Sequence, residues 1–356
     1  MGLLGDSCDR SALAERAYHQ PVPKEVIEAI AGDANLPVHQ DWVAAGSLRA
    51  GTWAETLGTG ENADEAFMAT AYAAHIEAVA SAGRAHHRVP LFVNAWLDVE
   101  IDPADGIPGL EPAGGQRPGT YPRGGPIGRV GPIWDAVAPS LSMRAPDIHF
   151  GSFAEVCAAY AAPQGRLFIP EMRRTPDGVS HMLFAVGEFR AIGVSPFGVD
   201  SLETDDPQYA HLADGYRLLG AAAGALRERP DARSRGFQLN ADTPVASFAC
   251  GGFELRVDIR NPFGGDMEPG FGIAIEESPD VFLVIGRGFR ATFSDPNGSK
   301  VGILAATELE SNDDMAVVRH LNGDETALGR FPALGARSTS PFPIPILTQM
   351  SGVVRF

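Results

Sequence analysis

The stretch "RLFIPEMRR", residues 166–174, drives a mostly apolar run through Pro170 into a carboxylate, Glu171, and then two arginines. A carboxylate ending an apolar strand suits glycoside hydrolysis, as nucleophile or as acid/base. That chemistry takes two carboxyl groups, one protonated and one ionised. The plainer reading is a surface acid paired with Arg173 or Arg174. Other apolar runs also end in polar or aromatic residues. "VPLFVNAW" carries Asn94 and Trp96, "APDIHF" carries Asp147 and His149, and "IGVSPFGVDS" is followed by or contains Phe197 and Asp200. In barrels of alternating strands and helices, the carboxyl ends of the strands hold the catalytic groups.

Positioning such residues requires strands separated by helices. The runs at 89–96, 145–150, 166–172 and 192–201 read as four strands, and helical patterns lie at 153–162, 179–191 and 207–229. Four alternations predict parallel βα units, in a doubly wound sheet or a barrel. No GxGxxG follows a strand, so a dinucleotide fold has no support. The first strand, a continuous apolar run, reads as buried on both faces. Before it, residues 61–85 predict a long amphipathic helix with acids in its first turn and Gly83 placed to end it. Residues 1 to about 60 read as irregular apart from a short helix at 20–30. The Pro/Gly-rich loop at 102–131 is long enough to be functional. "RERPDARSRG", 227–236, reads as a solvated linker. From Phe237 onward, period-2 alternation with Gly, Pro, Asn and Asp turns predicts an antiparallel β domain, a sandwich.

The chain has 356 residues, with 45 acidic against 28 basic and a formal charge of −17. Two domains are expected at this length. The acidic balance argues against nucleic acid or an anionic membrane surface as partner. The 3 cysteines are far apart and show no metal spacing, which reads as buried free thiols. No apolar run reaches the ~18 residues of a membrane span. The first residues lack the basic start and apolar centre of a signal peptide.

Taken together, "PLFVNAWL", "PGTYPRGGPIG", "IWDAVAPSLSMRAPDIHFGSF", "LFIPEM" and "AIGVSPFGVDS", in this order, resemble bacterial glycoside hydrolases related to the retaining β-galactosidases of family 35. The narrower resemblance is to the subgroup with a C-terminal DUF5597 domain, which "FGIAIEESPDVFLVIGRGFRATF" and "LNGDET" look like. It extends to about Arg330. The fold it implies is α/β plus all-β. A partial TIM barrel, strands 5–8 of a (β/α)8 barrel over residues 1–229, is followed by an antiparallel β-sandwich over 237–356. Glu171 would be the nucleophile, at the end of the seventh barrel strand. Asn94 and Trp96 would line the sugar site, and Tyr121 would contact sugar or orient Glu171. His149 stands where the family more often has Tyr. Phe197 and Asp200 would shape the floor of the site. Packing roles for Trp96 and Tyr121, and a helix-capping role for Asp200, stay open beside these.

In that family the acid/base is the Glu of an Asn-Glu pair, and no such pair occurs in this sequence. The pair is followed by a segment resembling "VGLLGDS", and this chain begins "MGLLGDS". The expectation is a fragment lacking barrel strands one to four and the acid/base, with little or no turnover and self-association through an open barrel edge. The ligand would be a β-galactoside or plant oligosaccharide; no metal or cofactor is implied. The alternative is a non-catalytic carbohydrate-binding or assembly module. The last stretch, from Phe331, departs from the family's ending, so its final strand is expected to be altered or missing.

Overall fold

The computed structural model describes residues 8–97, 124–203, 205–259, 269–299, 301–309, 317–323, 326, 330, 333–334 and 352–355. The fold is mixed α/β, with a parallel sheet and antiparallel sheets. The chain forms two compact units, Met1–Met172 and Arg173–Phe356.

The first unit opens with four helices, α1 (Ala12–Tyr18), α2 (Lys24–Gly32), α3 (Pro37–Ala44) and α4 (Trp53–Leu57). Much of what reads as irregular up to residue 60 is therefore helical. These helices are only 5 to 9 residues long, too short for a periodic signal. Two of them, α1 and α4, start on side-chain caps instead. The Ser11 hydroxyl accepts from the Ala14 N–H, and Thr52 with Glu55 forms a reciprocal capping box. The long helix α5 (Glu61–His86) follows, with Glu61 and Asp64 in its first turn. It runs three residues past Gly83. Val26, Ile27, Ile30, Trp42, Trp53, Leu57 and Phe67 share a core with Ile133 and Trp134 of α6 (Gly131–Val137).

Three strands complete this unit: β1 (Phe92–Ala95), β2 (Met143–Ile148) and β3 (Ile169–Met172), with α7 (Phe153–Gln164) between the last two. β1 pairs parallel to β2, and β2 parallel to β3. β2 is buried along most of its length, as a central parallel strand should be. β1 is not. Phe92 and Asn94 are exposed, which corrects the expectation of burial on both faces and marks β1 as a flanking strand. α7 is tied to β2 through Gln164, whose Oε1 accepts from the Arg144 N–H at 2.6 Å and whose Nε2 donates to the Arg144 carbonyl at 3.1 Å.

The second unit begins with α8 (Pro176–Phe189), β4 (Val194–Pro196) and α9 (Pro207–Glu228). Then come β5 (Ser234–Leu239), β6 (Val245–Cys250), β7 (Phe253–Asp258), β8 (Gly270–Ser278), β9 (Val281–Arg287) and β10 (Phe289–Ser294). β11 (Thr307–Leu309), β12 (Val317–His320), β13 (Ala333–Leu334) and β14 (Gly352–Arg355) finish it. One antiparallel sheet has the order β13-β10-β7-β6 and the other β12-β11-β14-β9-β8-β5. Phe237, Leu255, Val257, Val284, Phe289 and Ala291 come from both sheets and share one apolar core.

Two readings of the sequence need correction in this unit. "RERPDARSRG" is not a free linker: Arg229 pairs with Glu277 at 3.3 Å, Arg235 with Glu188 at 3.1 Å, and Ser234 already belongs to β5. Two of its arginines, Arg229 and Arg235, thus meet acids of the same unit. The final strand is present as β14, paired to β9 on one side and β11 on the other.

Candidate active site

Parallel pairing brings the chemistry-bearing residues of the first unit to one end of the sheet. The register sets Asn94 opposite Ala145 and Asp147 opposite Glu171. Same-register residues on neighbouring strands point to the same face, with strands about 4.8 Å apart. The side chains accordingly meet. The Asn94 amide donates to both Asp147 carboxylate oxygens, at 3.1 and 3.3 Å. His149 Nε2 lies 3.4 Å from Glu171 Oε1, and both side chains are 29% exposed.

Glu171 thus turns to His149 rather than to the arginines that follow it in sequence. Arg174 instead donates to the Gly198 carbonyl and, at 3.1 Å, to the Ser201 hydroxyl.

Asp147 is the residue whose importance sequence reasoning missed. Its position at a strand end was visible; its pairing with Glu171 required the register. Burial pushes its carboxyl up to about 6, the neighbouring Glu171 adds to the rise, and the Asn94 hydrogen bond opposes it. A carboxyl group with that value exchanges its proton in the weakly acidic range, beside a second carboxylate on the next strand.

The other expected site residues separate into three groups. Trp96 is 44% exposed, and its backbone carbonyl accepts from the Tyr160 hydroxyl at 3.2 Å. Its indole therefore stands at the same end of the sheet, on a backbone fixed from α7. Phe197, 61% exposed, and Asp200, exposed in a short 3-10 turn, belong to the second unit. Tyr121 lies outside the described residues, as does most of the Pro/Gly-rich loop. Among the described residues no group of three or more His, Cys, Asp or Glu is placed to hold a metal ion, and no helix is long and apolar enough to cross a membrane.

Comparison with known proteins bears on the second unit. No curated protein matches the chain. Residues 212–333, from within α9 to β13, match the family described as a domain of unknown function, DUF5597, so the domain expected there is present.

Proposed function

We propose that this chain carries the nucleophile of a retaining glycoside hydrolase of β-galactosidase type, with Glu171 as the attacking group. On this reading β1 to β4 are strands five to eight of a (β/α)8 barrel, and the two antiparallel sheets form a sandwich. The observation that carries the reading is the placement of Glu171. It sits at the carboxyl end of a parallel strand, with Oε1 3.4 Å from His149 Nε2 and Asp147 at the same register on the adjacent strand.

In the reaction, a Glu171 oxygen bonds to the anomeric carbon as the bond from that carbon to the leaving group breaks, and the electron pair departs with the leaving group. His149 orients the carboxylate. Asn94 holds Asp147, and the exposed Trp96 ring offers an apolar face to the sugar. An unactivated glycoside also needs a proton donor on the leaving-group side, and the Asn-Glu pair that supplies it in the resembled family is absent from this sequence. Slow turnover of such substrates is expected.

The test uses a substrate that needs no proton donor. A dinitrophenyl β-galactoside fluorinated at C2 releases a stable phenolate and leaves the sugar trapped on the nucleophile. Intact-mass analysis should show one adduct, mapped to Glu171 and missing from Glu171→Gln. No adduct, or an adduct elsewhere, overturns the assignment.

A further inference from the structure

The second unit contains a cleft of ≈ 660 Å³ that the proposed reaction does not use, lined by the start of α8, His211 of α9, and residues of or beside β5, β8 and β9. Ligand pockets are on the order of 300–1,000 Å³, so the space suits a small molecule. Its walls are built from side chains held in place by hydrogen bonds. Arg287 donates to His211 Nδ1 at 3.0 Å and faces Asp214 at 3.4 Å, with its guanidinium 5.1 Å from the Phe271 ring centre. A guanidinium can only donate, so His211 Nδ1 is the acceptor in this contact. His181, also in the lining, has its imidazole pushed down by burial, with Asp177 opposing the shift.

Three lining groups keep hydrogen-bonding capacity toward the cleft. Gln238 donates through Nε2 to Ser180 Oγ at 2.6 Å, which leaves its Oε1 to accept. Asn240 Oδ1 accepts from the N–H groups of Asp242 and Thr243 at 2.9 and 2.8 Å, which leaves Nδ2 to donate. Asp177, exposed at the first turn of α8, adds a carboxylate acceptor. The lining therefore offers both a donor and acceptors to one cleft. Arg287 faces Asp214, a carboxylate it shares with Arg217 at 2.6 Å, and Asp177 adds a negative charge to the lining, so the cleft presents no cluster of a single sign to a charged ligand. A ligand that both donates and accepts, is uncharged and fits this volume is a polyhydroxylated one.

We infer that this cleft is a binding site for a neutral oligosaccharide, separate from the Glu171 site. The inference rests on the lining groups and stands whether or not Glu171 is a nucleophile.

The full chain is titrated against an immobilised panel of neutral oligosaccharides (galacto-, gluco-, xylo- and manno-) and their acidic counterparts. At least one neutral member should bind. Gln238→Ala and Asn240→Ala, each verified as folded by an unchanged thermal melt, should weaken that binding about tenfold or more. Glu171→Gln should leave it unchanged, which separates this site from the catalytic proposal. No neutral member bound, preference for the acidic members, or affinity indifferent to both substitutions overturns the inference.

Discussion

Asp147 and Glu171 are direct partners across two parallel strands, and the Glu171 charge adds to the rise that burial gives the Asp147 carboxyl. Its folded value, about 6, lies above the ordinary 3.8, so the folded state binds the proton more tightly than the unfolded one. The stability from this group is complete below pH 3.8 and is lost as pH rises through 6. Asp147→Asn should therefore raise stability well above pH 6, by on the order of 1 kcal/mol after discounting for solvent screening, and change little below pH 3.8. Glu171→Gln should move the Asp147 titration downward, because one like charge is gone. Carboxyl carbon NMR and urea denaturation across this range check both. A midpoint indifferent to Glu171→Gln would contradict the pairing.

The glycine pair Gly187 and Gly236 sets how closely α8 lies on β5. A Cβ added at Gly236 would stand 2.5 Å from the Phe184 carbonyl oxygen and 2.9 Å from the Glu188 nitrogen, both backbone atoms that cannot step aside. Glu188 completes the contact by accepting from the Gly236 N–H at 3.2 Å. Gly236→Ala should destabilise the second unit by about 1–3 kcal/mol. Gly252→Ala, where nothing lies within 4 Å of the added atom, is the control and should cost far less. Denaturant midpoints monitored by circular dichroism distinguish the two.

How much was legible beforehand follows from what each feature depends on. The strand ends at Asn94, His149 and Glu171 could be read because each closes an apolar run, a local signal. The meeting of Asp147 with Glu171 could not, since it depends on the register between strands about 24 residues apart. The exposure of β1 was hidden for a related reason. An apolar run looks the same in a flanking strand and a central one, and the difference lies in what covers it. The short N-terminal helices escaped because their stability comes from Trp42, Trp53 and Phe67 packing together rather than from their own periodicity. The cleft at Gln238 and Arg287 draws its walls from α8, α9 and three strands, and no local motif marks such a site.

The buried thiols should be silent in the native protein. Cys157 and Cys250 are free and buried. Burial raises the Cys157 thiol far above its usual value and pushes Cys250 up to about 12, with Glu276 adding to the second. The thiolate is the reactive form, so both should resist a disulfide-exchange reagent at neutral pH. Labelling followed by peptide mapping should find them modified only under denaturing conditions. Rapid modification of Cys157 in the folded chain would contradict its burial.

The pairing of β7 with β10 contains an ion pair that holds a buried charge. Asp258 is 2% exposed and stands opposite Arg290 in the register. Arg290 grips it with Nε at 2.9 Å and Nη2 at 2.7 and 3.0 Å, while Arg256 approaches to 3.6 Å. Removing only the cation leaves a carboxylate in a low-dielectric setting, with the Arg256 guanidinium 3.6 Å away. Arg290→Met should therefore cost about 3–5 kcal/mol. Replacing both partners, as in Arg290→Met with Asp258→Leu, removes the charge along with its counterion and should recover much of that loss. A double-mutant cycle by urea denaturation measures the coupling. A single Arg290→Met substitution costing less than the double one would mean that Arg256 alone satisfies Asp258.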